Sequence, residues 1–269
     1  MLSVLFSFYS AGAESNGVKI SDLPPAVQTT IRAQLSGAKL GEITKSIEGA
    51  DVSYDVELTA KGKTRTFTVN QEGELVAFQV FLPETPRAVQ QAIHARVGRQ
   101  GLGDIFKCIE EGEVTYEVEM TKAGKTRNFT LDSDGKLLEM QMFLEETPTV
   151  IQKAIQKEIR SGSCQEIYKT TEDGEVNYDA KITRDGKSCS LTFDAKGTLV
   201  YQAEPVYLSE TPEAVQKALK AQLSGARLIS LEKAIEDGDL TFEVELLKAG
   251  KRQSLSITPD GQILPPETE

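Results

Sequence analysis

The stretch from Leu82 to Phe143, LPETPRAVQQAIHARVGRQGLGDIFKCIEEGEVTYEVEMTKAGKTRNFTLDSDGKLLEMQMF, decides the fold. It opens on Leu-Pro-Glu-Thr-Pro, runs into an amphipathic helix, and continues as strand-like runs broken at Gly112, Gly124 and Gly135. The same pattern occurs four times. Pro24, Pro86, Pro148 and Pro212 lie 62, 62 and 64 residues apart; Gly62, Gly124, Gly186 and Gly250 keep those intervals, as do Tyr54, Tyr116, Tyr178 and Phe242. Three unrelated residue types holding one register indicate tandem duplication.

Each copy predicts a helix and four strands. Thr85-Pro86, Thr147-Pro148 and Thr211-Pro212 offer an N-cap hydroxyl followed by proline at the first helical position; the first copy has Leu23-Pro24-Pro25 instead. Apolar residues follow at helical spacing, as in Val89, Ala92, Ile93 and Val97, with Gln28, Gln90, Gln152 and Gln216 recurring beside the stripe. Gly37, Gly98, Gly162 and Gly225 fall where the helix should end. The second strand is the clearest: Val114, Tyr116, Val118 and Met120 alternate with Glu113, Thr115, Glu117 and Glu119. Period two with one apolar face predicts a sheet covered on one side. A turn at Gly112, Gly174 or Gly238, with Gly49-Ala50 in the first copy, leads into the second strand; turns at Lys61-Gly62, Ala123-Gly124, Asp185-Gly186 and Ala249-Gly250 make hairpins to the third, and Gly73, Gly135, Gly197 and Gly261 precede a fourth strand.

The predicted class is therefore α+β: four tandem α-β-β-β-β units, each a helix packed on a four-stranded antiparallel meander. The boundaries read 17–81, 82–143, 144–206 and 207–269, the last with a short tail after Leu264 that begins Pro265-Pro266-Glu267. Residues 1–16 stand apart. Leu2 to Tyr9 is a short apolar run, and Ala11-Gly12-Ala13 resembles a signal-peptidase site, but the basic leader expected before it is missing. The reading favoured is a signal peptide whose true start lies upstream; the alternative is a fortuitous apolar terminus. The run is too short to span a bilayer.

Composition excludes several functions. With 30 basic against 41 acidic residues the formal charge is −11, which disfavours nucleic acid and anionic membrane as partners. Cys108, Cys164 and Cys189 are not matched between copies, so they are expected to be free thiols. Cys164 and Cys189 fall on the first and third strands of one meander, about 9–10 Å apart at ordinary strand spacing, beyond disulfide reach. His94 is the single histidine and has no counterpart in the other copies, which makes it a surface residue rather than a general base. No P-loop, dinucleotide fingerprint or nucleophile elbow is present. Asp132-Ser133-Asp134-Gly135 lacks the rest of a calcium loop and reads as an acid-flanked turn. No catalytic residue, metal site or cofactor is expected.

One constellation remains. The polar face should carry acids on the second strand, Asp55, Glu57, Glu117, Glu119, Asp179, Glu243 and Glu245. Beside them on the third strand come Thr66, Thr68, Asn128, Thr130, Ser190, Thr192, Ser254 and Ser256. Solubility alone explains polar outward residues; the functional alternative is a long face, repeated four times, that docks a basic or polar partner. Lys45, Lys107, Lys169 and Lys233 recur between the apolar positions of the first strand, where their stems can lie along the sheet and their heads pair with acids.

Leu23-Pro24-Pro25-Ala26-Val27-Gln28, Gly37-Ala38-Lys39-Leu40-Gly41-Glu42-Ile43, Tyr54-Asp55-Val56-Glu57-Leu58 and Gly73-Glu74-Leu75 resemble the PepSY-like, β-lactamase-inhibitor-like family, with Asp134-Gly135-Lys136-Leu137 supplying its closing turn. The resemblance runs over residues 18–264. It implies a non-enzymatic, exported domain; a related two-unit inhibitor grips a partner protein with a concave sheet. The expectation is a secreted or periplasmic, monomeric binding protein that occludes a protease or other hydrolase. The competing expectation is a structural spacer of the envelope or matrix with no specific target.

Overall fold

The computed structural model describes residues 17–264 apart from 49–50, 99–100, 111, 123, 160–161, 173 and 249–250. The expected signal segment 1–16, the Gly49-Ala50 and Ala249-Gly250 turns, Ala123 and the tail from Pro265 lie outside the described residues.

Helix α1 (Pro25–Leu35) is followed by β1 (Lys39–Glu48), β2 (Asp51–Ala60), β3 (Lys63–Asn70) and β4 (Leu75–Val80). Helix α2 (Arg87–Val97) leads to β5 (Leu102–Glu110), β6 (Glu113–Lys122), β7 (Lys125–Asp132) and β8 (Leu137–Gln141). Helix α3 (Thr149–Ile159) leads to β9 (Ser163–Glu172), β10 (Glu175–Arg184), β11 (Lys187–Asp194) and β12 (Leu199–Pro205). Helix α4 (Glu213–Gln222) leads to β13 (Ala226–Glu236), β14 (Asp239–Lys248) and β15 (Lys251–Ile257). The chain is thus α+β, as its periodicities require.

The strands do not form four separate meanders. All fifteen pair antiparallel in chain order in one sheet. The joins are ladders: Ala77 is opposite Cys108 between β4 and β5, Glu139 opposite Thr170 between β8 and β9, and Ala203 opposite Ala234 between β12 and β13. At α2, α3 and α4 the chain leaves the sheet and returns beside the strand it left, so the next strand completes the previous ladder. The last fourth strand is reduced to one bridge, Ile257 with Ile263.

The helices pack on one face. Val89 and Ile93 of α2 meet Ile105, Tyr116, Val118, Met120, Phe129 and Leu131, and the other helices repeat the arrangement. Tyr54, Tyr116, Tyr178 and Phe242 are 4–6% exposed on this face, as predicted. Each fully buried Val, Ile or Phe contributes about 1.5–3 kcal/mol. Gly135 shows how tightly the turns press on the helices. Its φ is +78°, and a Cβ there would lie 2.7 Å from the Ala88 carbonyl oxygen.

Helix entry differs from expectation. Thr85, Thr147 and Thr211 do not cap: each hydroxyl donates to the Leu carbonyl three residues back, at 2.8–2.9 Å, and closes a short 3-10 turn. Pro86 and Pro212 occupy the N-cap position, with no side-chain cap. The recurring glutamine secures the entry. Gln28, Gln90, Gln152 and Gln216 donate through Nε2 to the carbonyls of Leu23, Thr85, Thr147 and Thr211 at 2.8–2.9 Å.

A second device ties each turn to the preceding strands. Glu84, Glu146 and Glu210 accept the backbone N–H of Phe81, Phe143 and Tyr207 and pair with Arg65, Arg127 and Lys187. Arg65 and Arg127 also lie over the Phe81 and Phe143 rings, 4.4 and 5.0 Å from the centroids. The side chain of each arginine therefore holds a carboxylate and a ring at once.

Candidate partner-binding face

In an antiparallel ladder, directly opposed residues share a face. The register puts all the acids and hydroxyls singled out above on the face away from the helices. Asp55 faces Thr68, Glu57 faces Thr66, Glu117 faces Thr130, and Glu119 faces Asn128. Asp179 faces Thr192, Glu243 faces Ser256, and Glu245 faces Ser254. Ser190 is set opposite Lys181.

These pairs are not equivalent. Thr68 donates to Asp55 at 2.6 Å, and Thr170 and Thr192 donate to the two oxygens of Asp179 at 3.0 and 2.7 Å. Glu117 is reached on the diagonal, by Asn128 Nδ2 at 2.7 Å. Glu243 accepts from the Tyr201 hydroxyl at 2.9 Å across an intervening strand, and Arg252 donates to Glu245 at 3.1 Å. Glu57, Ser190 and Ser254 are exposed. Thr66 and Asn128 also offer backbone N–H groups to Gln79 and Gln141 at 3.0 and 3.3 Å.

The face is hollow. Ala77, Ala203 and Ala234 lie on it and are 0–2% exposed, although the helices pack on the other side. Small side chains without a covering layer are hidden when longer neighbours close over them, as on an inwardly curved sheet. The curvature carries far enough that Leu247 of β14 lines an open cleft with Lys45, Val52 and Tyr54 of the first two strands. Leu247 belongs to the polar face, whereas Tyr54 belongs to the helix face. The inner side of one end thus approaches the outer side of the other.

Curvature desolvates the carboxylates. Burial lifts Asp55 above its ordinary value, partly offset by the Thr68 and Ser46 hydroxyls. Glu117 is pushed up to about 7, chiefly by burial, with Asn128 opposing and Glu119 reinforcing. Glu139, which the sequence reading passed over, rises to about 8 through burial and then the charges of Asp179 and Glu117. Phe106, opposite Glu117, and Tyr168, opposite Asp179, were missed as well. Their shared place after Ile105 and Ile167 was a usable signal.

Lys45, Lys107, Lys169 and Lys233 stand on the helix face, opposite Tyr54, Tyr116, Tyr178 and Phe242. The expected pairing with acids is not seen: ion pairs among the described residues involve other cations. His94 is exposed on α2. Cys164 and Cys189 both lie opposite Ile182, on strands either side of it, and all three thiols are free. Asp132 accepts the N–H groups of Asp134 and Lys136 at 2.9 and 2.8 Å, which closes a turn. Among the described residues, no group of three or more His, Cys, Asp or Glu is placed to hold a metal ion.

The model of the family described as "Putative beta-lactamase-inhibitor-like, PepSY-like" matches residues 12–77, 141–201 and 177–265. The chain belongs to this family. A comparison of this PepSY-like chain with curated proteins finds no match. Several solved structures similar to it come from Bacteroides. A DUF2874 family protein from Bacteroides uniformis is 21% identical, with 44% of this chain and 87% of that one covered at a TM-score of 0.38. A "putative periplasmic" protein from Bacteroides eggerthii is 18% identical, with 44% and 86% covered at 0.39. A BLIP-like protein from Bacteroides fragilis is 18% identical, with 44% and 83% covered at 0.37.

Proposed function

We propose that the chain is an exported, non-enzymatic binding protein that occludes a partner, a peptidase or other hydrolase, with the polar face of its sheet. We read the array as four PepSY-like units sharing that sheet. The observation that carries the proposal is the continuity of the face: one helix-free surface, bearing the acid and hydroxyl rows and closing over Ala77, Ala203 and Ala234, runs through fifteen strands. A solubilising surface needs polar groups but does not need to bury Glu117 and Glu139 deeply enough to displace their titration. Export is supported by Leu2–Tyr9 and Ala11-Gly12-Ala13. No helix among the described residues is long and apolar enough to cross a membrane.

The test is capture from the envelope and culture fluid of the source organism with residues 17–269 as bait, beside the Glu117→Lys/Glu119→Lys variant. A hydrolase retained by the parent chain, slowed by it, and released by the variant is the expected result. Equal retention by both would move the site off this face. Loss of all capture would leave the spacer reading ahead.

A further inference from the structure

The sheet sorts its charges. Lys45, Lys107, Lys169, Lys233, Arg65 and Arg127 all stand on the helix face, opposite core residues. From β5 to β14, the cations that the register sets on the hollow face among the described residues are Lys181, opposite Glu166, and Arg227, opposite Leu247. The same face carries Glu117, Glu119, Glu139, Asp179, Glu232 and Glu243. The field over it is negative, and concavity strengthens it by excluding water.

Aromatic rings are interleaved with these carboxylates. Phe106 on β5 lies directly opposite Glu117 on β6, and Tyr168 on β9 lies directly opposite Asp179 on β10. Glu139 on β8 stands between the two pairs, one strand removed from each: β7 separates it from Glu117, and β9 from Asp179. Further along, Tyr201 on β12 is bonded to Glu243. A ring face attracts a cation, and a neighbouring carboxylate accepts its N–H groups. Guanidinium uses both at once, because it is planar and weakly hydrated.

We infer that the partner is held through arginine and lysine side chains, seated along the row Phe106, Glu117, Glu139, Tyr168 and Asp179. This rests on the sheet-face reading and specifies its chemistry. An incoming cation favours the ionised form of Glu117 and Glu139, which burial on this face otherwise disfavours. The inner face then discriminates against acidic and neutral surfaces, which would bring those groups no counter-charge.

The experiment uses the full chain and an extended peptide with arginine at alternate positions, beside analogues with citrulline or glutamate there. Binding is followed by backbone amide shifts. The arginine peptide should shift β5 to β10, and its affinity should fall about tenfold or more with citrulline, in raised salt, and in the Glu117→Gln/Glu139→Gln variant. Phe106→Leu should weaken arginine more than lysine peptides. Circular dichroism and melting establish that each variant is folded. Equal binding of the citrulline peptide at β5 to β10 would overturn the charge requirement and leave the sheet-face reading standing. Shifts on the helices, unchanged in the Gln variant, would overturn both. No binding of the arginine peptide at millimolar concentration would overturn the inference alone.

Discussion

Arg127 and Glu146 form a two-pronged ion pair, Nη1 to Oε2 at 2.6 Å and Nη2 to Oε1 at 2.8 Å. The arginine side chain is 7% exposed and the glutamate 34%. Glu146 also accepts the Phe143 N–H, and the arginine beside it holds its carboxyl below the usual range. Removing the glutamate leaves a buried guanidinium without its counter-charge. Glu146→Ala should therefore cost about 1–3 kcal/mol, and Arg127→Met less, because methionine takes the charge away with the partner. Urea titration of both variants checks the ordering; equal losses would show that the pair acts through packing alone.

Gly135 and Gly124 separate backbone strain from close approach. Both have positive φ, +78° and +79°, yet a Cβ at Gly124 meets nothing within 4 Å. Gly124→Ala should cost about 1 kcal/mol, and Gly135→Ala about 2 kcal/mol or more. Thermal melts of the two variants read the difference directly.

Stability should be higher at mildly acidic pH than above neutrality. Glu117 and Glu139 titrate near 7 and 8 in the fold against an ordinary 4.5. Between those values the folded chain binds more protons than the unfolded chain, so stability falls as the pH rises through that window. Glu84 and Glu146 act in the opposite sense, since Arg65 and Arg127 lower them, and their contribution is lost as the pH drops below the ordinary carboxylate range. Glu139→Gln should raise the melting temperature at pH 8 and flatten its fall from about pH 5.5 to 8. An unaltered profile would show that Glu139 is hydrated in solution.

Cys108 should resist alkylation. Burial, then the charge of Glu117, push its thiol up to about 12. At pH 8 its thiolate fraction is on the order of a thousandfold below that of a free cysteine. Mass spectrometry after timed iodoacetamide exposure gives the rate; labelling as fast as an unfolded control would contradict the burial.

Much of this architecture was legible in the sequence. Val114 to Met120 alternate so cleanly that strand and face follow at once, and Pro86 with Gly98 brackets its helix. The joins were not legible, because nothing in Leu75 to Val80 says that Ala77 will pair forward with Cys108 as well as back with Thr68. Glu139 escaped for a related reason. A register shift between Thr130 and Leu131 interrupts β7 with β8, and β8 shows no clear alternation of its own. Thr85 was misassigned because Thr-Pro at a helix start has the composition of a cap, and the turn that uses its hydroxyl depends on Leu82.

The ladders at β4–β5, β8–β9 and β12–β13 also bear on how such a chain can change in length. A cut at any join would not release a finished module; it would leave two raw sheet edges prone to self-association. A gene duplication that inserts a whole repeat heals both edges as it is made, since the newcomer brings the first strand its predecessor lacks and the last strand its successor needs. Copy number then becomes a geometric dial: each added repeat extends the arc of the coil, and so the span of whatever its inner side encloses.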